Sequence, residues 1–260
     1  MMRSLYTAST GMYAQQLNVD TLAHNISNVN TTGFKKQRVE FQDLLYQQIK
    51  RPVVTSTTNE PVGLSIGLGV KPSATQTSFS QGNLQASNNA LDVAISGLAF
   101  FKLEGGNDTE MYTRDGAIKI DAEGNLCTAD GYKYVGAGPI DTEAYDVQIA
   151  ADGTVTYMTP GDDAPQEAGK LELVKFANPA GLQALGGNRY IATPSSGEPE
   201  DWDSENDNTV SIQSGYLEMS NVQIVEEMVG LITAQRAYEM NSKVIQSSDE
   251  MLQTATSLRR

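Results

Sequence analysis

The sequence predicts an α+β fold in which two long terminal helices flank a mainly antiparallel β domain. Residues 4–29 and 222–258 have helical patterns with few helix breakers. Residues from about 70 to 220 instead alternate short β-type segments with turn signals. The predicted domains are a helical domain (1–33 with 221–260), a linking segment (34–71) and a β domain (72–220).

In the first helix, seam positions recur at alternating spacings of three and four residues, a pattern typical of a helix that pairs with another helix. Seven of the eight positions are apolar, in a chain that is 39% apolar. Ser4 suits an N-cap, and Gly33 suits the left-handed residue after a helix. The eight positions are Leu5, Ala8, Met12, Gln15, Val19, Leu22, Ile26 and Val29.

The segment that follows is less regular. Residues 34–50 fit either a short helix or a strand, and residues 51–70 predict a long loop or a loose hairpin. Loops of this length usually have a function. Prolines restrict this backbone and glycines allow its close approach to another chain. These residues are Pro52, Pro61, Gly63, Gly67 and Gly69.

The middle of the chain contains regularly spaced turn signals. Asp115-Gly116, Asp130-Gly131 and Asp152-Gly153 separate segments rich in β-branched and aromatic residues. The pattern predicts an antiparallel meander that forms a sandwich or an open barrel.

The C-terminal helix repeats the spacing of the first, with six of nine seam positions apolar. Such narrow seams need partner helices. We therefore expect the terminal helices to pair with each other and with copies in other subunits. The nine positions are Ile224, Met228, Leu231, Gln235, Tyr238, Ser242, Ile245, Asp249 and Leu252.

The formal net charge of −14 is concentrated in the β-rich middle, since residues 101–220 contain seven Lys and Arg against 22 Asp and Glu. An acidic body repels phosphates and argues against nucleic acid as a partner. The N-terminus lacks the apolar core of a secretion signal, and the chain has no apolar run of 18 residues for a membrane span. These signals alone predict a cytoplasmic protein.

Catalytic chemistry has no positive support in the sequence. With one histidine, His24, and one cysteine, Cys127, no histidine-based triad or zinc site forms from these ligands. The acidic stretch 198–207 lacks the glycine and the final carboxylate of a calcium loop. We therefore expect no enzyme, no cofactor and no metal site. A β-fold glycosidase stays open as an alternative, because two of the many carboxylates could converge.

Several segments resemble a known family. The segment LAHNISNVNTTGFK (22–35) resembles the N-terminal signature of the flagellar axial proteins, the rod and hook family, through Asn25, Asn28, Asn30, Gly33 and Phe34. The C-terminal block 215–260 resembles the end of the same family. Middle blocks match as well: FSQGNLQ (79–85), LDVAISGLAFF (91–101), YTRDGAIKIDAEGNLCTADGY (112–132) and FANPAGLQALGGNRY (176–190). His24, Ile26 and Ser27 depart from the family pattern.

The resemblance implies a structural subunit of the distal rod, because the segment ending in GLGVKP resembles an insertion that the hook protein lacks. Subunits would assemble helically into a hollow, rigid drive shaft that transmits motor torque to the hook and provides the export channel. The terminal helices would form the inner tube and the β domain would lie outside. The chain would leave through the flagellar type III export apparatus, without a cleaved signal peptide, and lie in the periplasmic part of the basal body.

The resemblance also implies partners: copies of the chain itself, proximal rod proteins, the hook protein, the surrounding ring proteins and the export apparatus. The glycine- and proline-containing loop would contact neighbouring subunits. Alternatives are another axial protein, hook or proximal rod, or a secreted β-rich adhesin. The predicted assembly interface consists of Leu5, Met12, Val19, Leu22, Ile26, Val29, Ile224, Met228, Leu231, Tyr238, Ile245 and Leu252.

Overall fold

The computed structural model describes residues 2–257 except 52, 56–57, 61, 107–108, 142, 161–163, 205–206 and 208, with the backbone alone at 53–55 and 58–60. The chain divides into two compact units. The helical unit contains Met1–Ile26, Gln37–Gln76 and Gln223–Arg260. The β unit contains Ser27–Lys36 and Thr77–Val222. Residues 34–36 belong to the β unit and residues 37–71 to the helical unit.

The two predicted terminal helices are present, as α1 (Met2–Ser27) and α2 (Ile224–Ser257). The sequence misplaced both ends of the first helix. Ser4 lies inside α1 rather than at its N-cap, and its hydroxyl faces Ser248 of α2. The helix ends at Ser27, and Val29 lies in a turn closed by the Thr31 N–H, which donates to the Asn28 carbonyl at 3.2 Å.

Among the described residues, six strands begin in the helical unit, and they pair in a nested order. Strand β1 pairs with β6, β2 pairs with β5 and β3 pairs with β4. This resolves the ambiguity at 34–50 in favour of strands, and it makes the predicted loop at 51–70 part of a long hairpin. The strands are β1 (Gln37–Asp43), β2 (Tyr46–Lys50), β3 (Val53–Thr55), β4 (Thr58–Glu60), β5 (Leu64–Gly67) and β6 (Val70–Thr77).

The strands of the β unit are short. They are β7 (Leu84–Ala86), β8 (Val93–Ser96), β9 (Phe100–Glu104), β10 (Glu110–Thr113), β11 (Lys119–Ile120), β12 (Leu126–Cys127), β13 (Lys133–Tyr134), β14 (Tyr145–Ile149), β15 (Thr154–Met158), β16 (Gln166–Lys170), β17 (Leu173–Lys175), β18 (Gln183–Gly186), β19 (Arg189–Ile191), β20 (Glu200–Asp201), β21 (Ser211–Ser214) and β22 (Tyr216–Glu218). One turn of 3-10 helix, Pro179–Gly181, precedes β18.

The largest sheet has the strand order β11-β12-β13-β9-β10-β19-β18, with β17 beside β9 and β20 beside β17. A second sheet has the order β14-β15-β16, and β21 pairs with β8 and β22 with β7. All strand pairs of the described β unit are antiparallel. This confirms the predicted α+β class with a mainly antiparallel β domain.

The apolar core of the β unit consists of two clusters of buried side chains. The larger cluster includes Phe101, Leu103 and Leu173, all of which are buried. A smaller aromatic cluster packs edge to face, with ring centroids of Phe79 and Phe100 5.3 Å apart. Edge-to-face pairs add to the stabilisation from buried area. This core provides a rigid base for the segments that enter and leave the β unit.

Candidate assembly surface

The two terminal helices contact each other in an antiparallel arrangement. Ser4 Oγ lies 3.4 Å from Ser248 Oγ. Asn25 Nδ2 donates to Glu227 Oε2 at 3.1 Å. From the first contact to the second, α1 advances and α2 retreats by the same number of residues. The register is therefore constant over most of α1.

Small residues occupy the contact between the helices. A Cβ atom added at Gly11 would lie 2.9 Å from Asn241 Nδ2, and one added at Gly230 would lie 3.3 Å from Leu22 Cδ2. The buried residues of the described helices are likewise small or polar rather than large and apolar. They are Ala8, Ala14 and Asn25 on α1, with Glu227, Ala234 and Ser248 on α2.

Large apolar side chains of α2 are exposed instead. The exposed fraction is 75% for Val225, 56% for Val229 and 48% for Ile232, which follow one another at helical spacing. An exposed apolar stripe of this kind is typical of an interaction site. The exposed apolar side chains of α2 lie around the sides of the helix that do not contact α1, and we call them together the apolar face of α2: Ile224, Val225, Met228, Val229, Ile232, Tyr238, Met240, Val244 and Met251.

The predicted interface residues fall into two groups. Ile224, Met228 and Tyr238 belong to the exposed apolar face. The other nine are half-buried: Leu5, Met12, Val19, Leu22, Ile26, Val29, Leu231, Ile245 and Leu252. On α2, the stripe in contact with α1 is therefore offset from the predicted seam, because Gly230, Asn241 and other small or polar residues allow the closer approach. The role of all twelve in assembly stays a prediction.

Asn25 joins three elements of the helical unit. It is completely buried. Its Nδ2 donates to the Gln37 carbonyl at 2.8 Å as well as to Glu227, and its Oδ1 accepts from the Gln37 N–H at 3.0 Å. The amide thus satisfies both backbone groups at the start of β1 while fixing α1 against α2. A polar group buried this deeply is tolerated because its hydrogen bonds are made.

The remaining signature residues belong to the β unit. Asn28 Oδ1 accepts from Thr31 Oγ1 at 3.3 Å, and Asn30 is exposed. Phe34 is buried. Gly33 has φ +68°, and its N–H donates to the Glu218 carbonyl at 2.8 Å. This glycine does not end α1, as the sequence predicted, but allows the signature to dock against the β unit.

A buried triad of charges lies where the signature docks. Glu218 Oε1 accepts from Lys35 Nζ at 2.7 Å, and Glu218 Oε2 accepts from Arg114 Nε at 3.0 Å. The Gly82 N–H also donates to Glu218 at 2.9 Å. Arg114 Nη1 donates to the carbonyls of Gly97 and Ala99, each at 2.7 Å. Three distant parts of the sequence are therefore joined by charge-assisted hydrogen bonds.

Burial and the neighbouring charges both act on the pKa values of Lys35 and Glu218. Burial lowers the pKa of Lys35 to about 8, with the charge of Arg114 acting in the same direction and Glu218 opposing both. Burial alone would raise the pKa of Glu218, but the charges of Arg114 and Lys35 outweigh it and hold that pKa below its usual value. The carboxylate is thus ionised at neutral pH and holds both cations.

Gly33 offers a direct test of the docked signature. In Gly33→Ala, the new Cβ would lie 2.8 Å from the Asp115 backbone nitrogen, in a backbone region that L-residues rarely adopt. We expect a loss of about 2–4 kcal/mol in the free energy of unfolding, from strain and overpacking together. Urea unfolding of the purified protein measures it.

Gly131→Ala is the matched control for this substitution. Gly131 has a similar φ of +85° but no atom within 4 Å of an added Cβ. It should therefore lose only the contribution from backbone strain, about 1 kcal/mol. Equal losses at the two positions would contradict the close docking of Gly33.

The base of the long hairpin packs within the helical unit. Gly69, at φ +122°, lies against Thr10, whose Oγ1 accepts from the Val70 N–H at 3.5 Å. Gly67 faces the Tyr46 ring, and Gly63 is half-buried. Pro52 and Pro61 lie outside the described residues. Towards its tip the hairpin exposes a second apolar set: Leu45, Tyr46, Ile49, Val62, Leu64 and Ile66.

The acidic stretch is fixed to the β unit by its tryptophan. Trp202 is buried, and its Nε1 donates to the Asp207 carbonyl at 3.1 Å. Lys175 pairs with the Asp207 carboxylate and, with Thr209, holds its pKa down at about 2. Among the described residues, no three His, Cys, Asp or Glu side chains are grouped to hold a metal ion. Neither of the two described α-helices has a stretch that is long and apolar enough to cross a membrane.

Four residues with structural roles escaped the sequence analysis: Arg114, Glu218, Asn221 and Glu227. Three of them lie in the C-terminal block and Arg114 lies in the block 112–132, both of which resemble the axial family. The available signal for Glu218 and Glu227 was their position in a block that resembles the axial family. Nothing in the local sequence indicated that they would be buried.

Comparisons with known proteins match the terminal helices and part of the β unit to one family. Three family models match: "Flagella basal body rod protein" at residues 5–35, "Flagellar hook protein FlgE/F/G D1 domain" at 94–157 and "Flagellar basal body rod FlgEFG protein C-terminal" at 213–258. The first covers α1 and the signature, and the last covers Glu218 and α2.

Full-length relatives are similar over the whole chain. Flagellar basal-body rod protein FlgG of Borreliella burgdorferi is 46% identical, with 100% of both chains covered. FlgG of Agrobacterium fabrum is 45% identical over 96% of this chain and 97% of the relative. FlgG of Bacillus subtilis is 37% identical, with 100% of both chains covered.

Proposed function

This chain belongs to the flagellar basal-body rod protein family and is a structural subunit of the distal rod, and we propose that its copies assemble helically into a hollow, rigid shaft. The shaft would transmit motor torque to the hook and leave an export channel at its centre. Such a function requires many contacts between copies rather than a catalytic centre.

The apolar face of α2 is the observation that supports this proposal. The contact between α1 and α2 uses small and polar residues and leaves Val225, Val229 and Ile232 exposed. Burying apolar surface stabilises association at about 25 cal/mol per Å² of area removed from water. Helices of neighbouring copies could cover this face, and the twelve predicted interface residues would then lie in or beside the contacts.

The relatives place the chain in the flagellar basal body. We propose that it lies in the periplasmic part of the rod and reaches it through the flagellar type III export apparatus, without a cleaved signal peptide. Its neighbours would be proximal rod proteins, the hook protein and the ring proteins around the rod. The terminal helices α1 and α2 would line the channel, and the β domain would face outward.

The same assignment argues against enzymatic activity. The relatives are named as rod proteins, and the buried charges of Lys35 and Arg114 are paired with the carboxylate of Glu218. Their role is structural, and no catalytic residue is proposed. A hook or proximal rod subunit, or a secreted adhesin, is not favoured by relatives that match as FlgG over the full chain.

Electron microscopy of the purified chain tests the proposal. At high concentration, or on rod fragments used as nuclei, the protein should form straight hollow rods. Antibody labelling of isolated basal bodies should then mark the rod between the motor and the hook. A protein that remains dispersed on nuclei, and a label that lies outside the rod, would refute the proposal.

The hairpin predicts a further property of these rods. Removal of residues 53–67 should leave a folded and exported chain, because strands β2 and β5 expose all their side chains. We expect the rods to become more bendable, since the exposed Val62, Leu64 and Ile66 would no longer contact neighbouring copies. Curvature of the rods in electron micrographs measures this. Rods as straight as those of the unchanged chain would show that the hairpin covers only its own subunit.

A further inference from the structure

The two units are connected by four passages of the chain. The unit boundaries place them at 26/27, 36/37, 76/77 and 222/223, all among the described residues. Units joined by independent flexible segments move relative to one another by default. A shaft subunit that transmits torque needs these connections to be stiff. The residues that hold the connecting segments together are therefore of functional interest.

Asn221 lies one residue before the end of the β unit and bonds to two other connecting segments. Its Oδ1 accepts from the Lys36 N–H at 2.7 Å. Its Nδ2 donates to the carbonyls of Ser78 at 2.9 Å and Ser80 at 3.1 Å, and it lies 2.9 Å from Ser80 Oγ. One side chain thus joins the segments that pass at 36/37, 76/77 and 222/223.

The backbone completes this arrangement. The Ser78 N–H donates to the Lys36 carbonyl at 2.8 Å, so the two segments that Asn221 bridges are also bonded to each other. These segments continue into β1 and β6, which pair with each other. Asparagine suits the position because its amide offers both an acceptor and two donors on one short side chain.

We propose that Asn221 is a positioning residue, a clasp that makes three connecting segments move as one. The inference rests on the proposed torque-transmitting function. Without the clasp, each segment would open separately, as weakly packed segments do. Torque would then twist each connecting segment separately, and rotation of the helical unit would be transmitted to the β unit with a delay.

Amide hydrogen exchange of the purified full-length protein tests the clasp without any flagellar assay. In Asn221→Ala, exchange of the Lys36 and Ser78 amides should rise at least tenfold, while the Phe101 and Leu103 amides of the core strand β9 keep their rates. In Asn221→Asp, which keeps the acceptor and loses the donors, Lys36 should stay better protected than in the alanine variant.

Asn178→Ala is the matched control. Asn178 Nδ2 also donates to a backbone carbonyl, that of Ser195, at 3.0 Å in another loop of the β unit. Its loss should leave the Lys36 and Ser78 amides unchanged. Unchanged exchange in Asn221→Ala would overturn the clasp. A uniform rise across the β unit would also overturn it, because Asn221 would then act only through global stability.

The functional consequence is measured in cells. Cells that produce Asn221→Ala should assemble rods in normal number but rotate more slowly at high viscous load, and the Asn178→Ala cells should not. If Asn221→Ala cells rotated normally at high load although the Lys36 and Ser78 amides exchanged faster, the clasp would have no part in torque transmission. That result would overturn its functional role. If the unchanged chain formed no rods at all, the proposed function would fail, while the exchange result would still decide the clasp.

Discussion

Glu218→Ala should reduce the free energy of unfolding of the β unit by about 3–5 kcal/mol, the cost of breaking a buried ion pair by removing one partner. The substitution leaves Lys35 and Arg114 buried without their counter-ion, with side-chain exposures of 0% and 1%. It also removes the acceptor for the Gly82 N–H. Since a domain is stable by only about 5–15 kcal/mol, much of the β unit should unfold on mild heating.

Urea unfolding followed by circular dichroism measures this loss. The matched control is Glu110→Ala, which removes an exposed carboxylate that pairs with Lys102 at 2.9 Å and has a side-chain exposure of 50%. Exposed pairs of this kind contribute at most about 1 kcal/mol. If Glu218→Ala and Glu110→Ala lost similar amounts of unfolding free energy, burial would not explain the contribution of the triad to stability.

The double variant Glu218→Leu with Lys35→Met tests whether the loss of stability comes from leaving a buried charge without its partner. It removes one cation with the anion and should recover part of the loss of Glu218→Ala, because buried ion pairs can be replaced by apolar residues at little cost. If the double variant were less stable than the single variant by the full cost of both changes, the two residues would not act as a pair.

Val229→Asp and Met228→Asp should abolish rod assembly and motility while the single chain stays folded. Both side chains are exposed in the isolated chain, at 56% and 53%. Copies that bury them would have to bury an unpaired carboxylate, which costs several kcal/mol per subunit, and a helical assembly repeats this cost in every copy. Leu231→Asp and Ile26→Asp, at half-buried positions, should also disturb the helix pair itself.

Motility on soft agar and electron microscopy of basal bodies measure the effect on assembly. Met228→Leu is the control, because it keeps an apolar side chain of similar volume and should assemble normally. Circular dichroism should show the same strand content in all variants. Normal rods and motility in both aspartate variants would exclude the apolar face of α2 from the contacts between copies.

The sequence by itself determined the class of the fold and the family. Helical spacing over residues 4–29 and 222–258 predicted α1 and α2, and the Asp-Gly turns predicted the antiparallel β unit, because both signals are local and repeat along the chain. The signature at 22–35 indicated the axial family before any contact was known. The fold class needed only the spacing of residue types, whereas the family was indicated by the resemblance of the signature to known axial proteins.

Tertiary structure alone decided which side chains meet. The heptad of large apolar residues on α2 pointed to Ile224, Met228 and Tyr238, but Glu227, Gly230 and Asn241 contact α1 instead. The buried ion pairs of Glu218 with Lys35 and Arg114 join positions that are far apart in the sequence. Asn221 likewise forms hydrogen bonds to segments that lie more than 140 residues before it. Hydrogen bonds to buried charges and backbone groups depend on three-dimensional proximity, and the spacing of residue types carries no information about it.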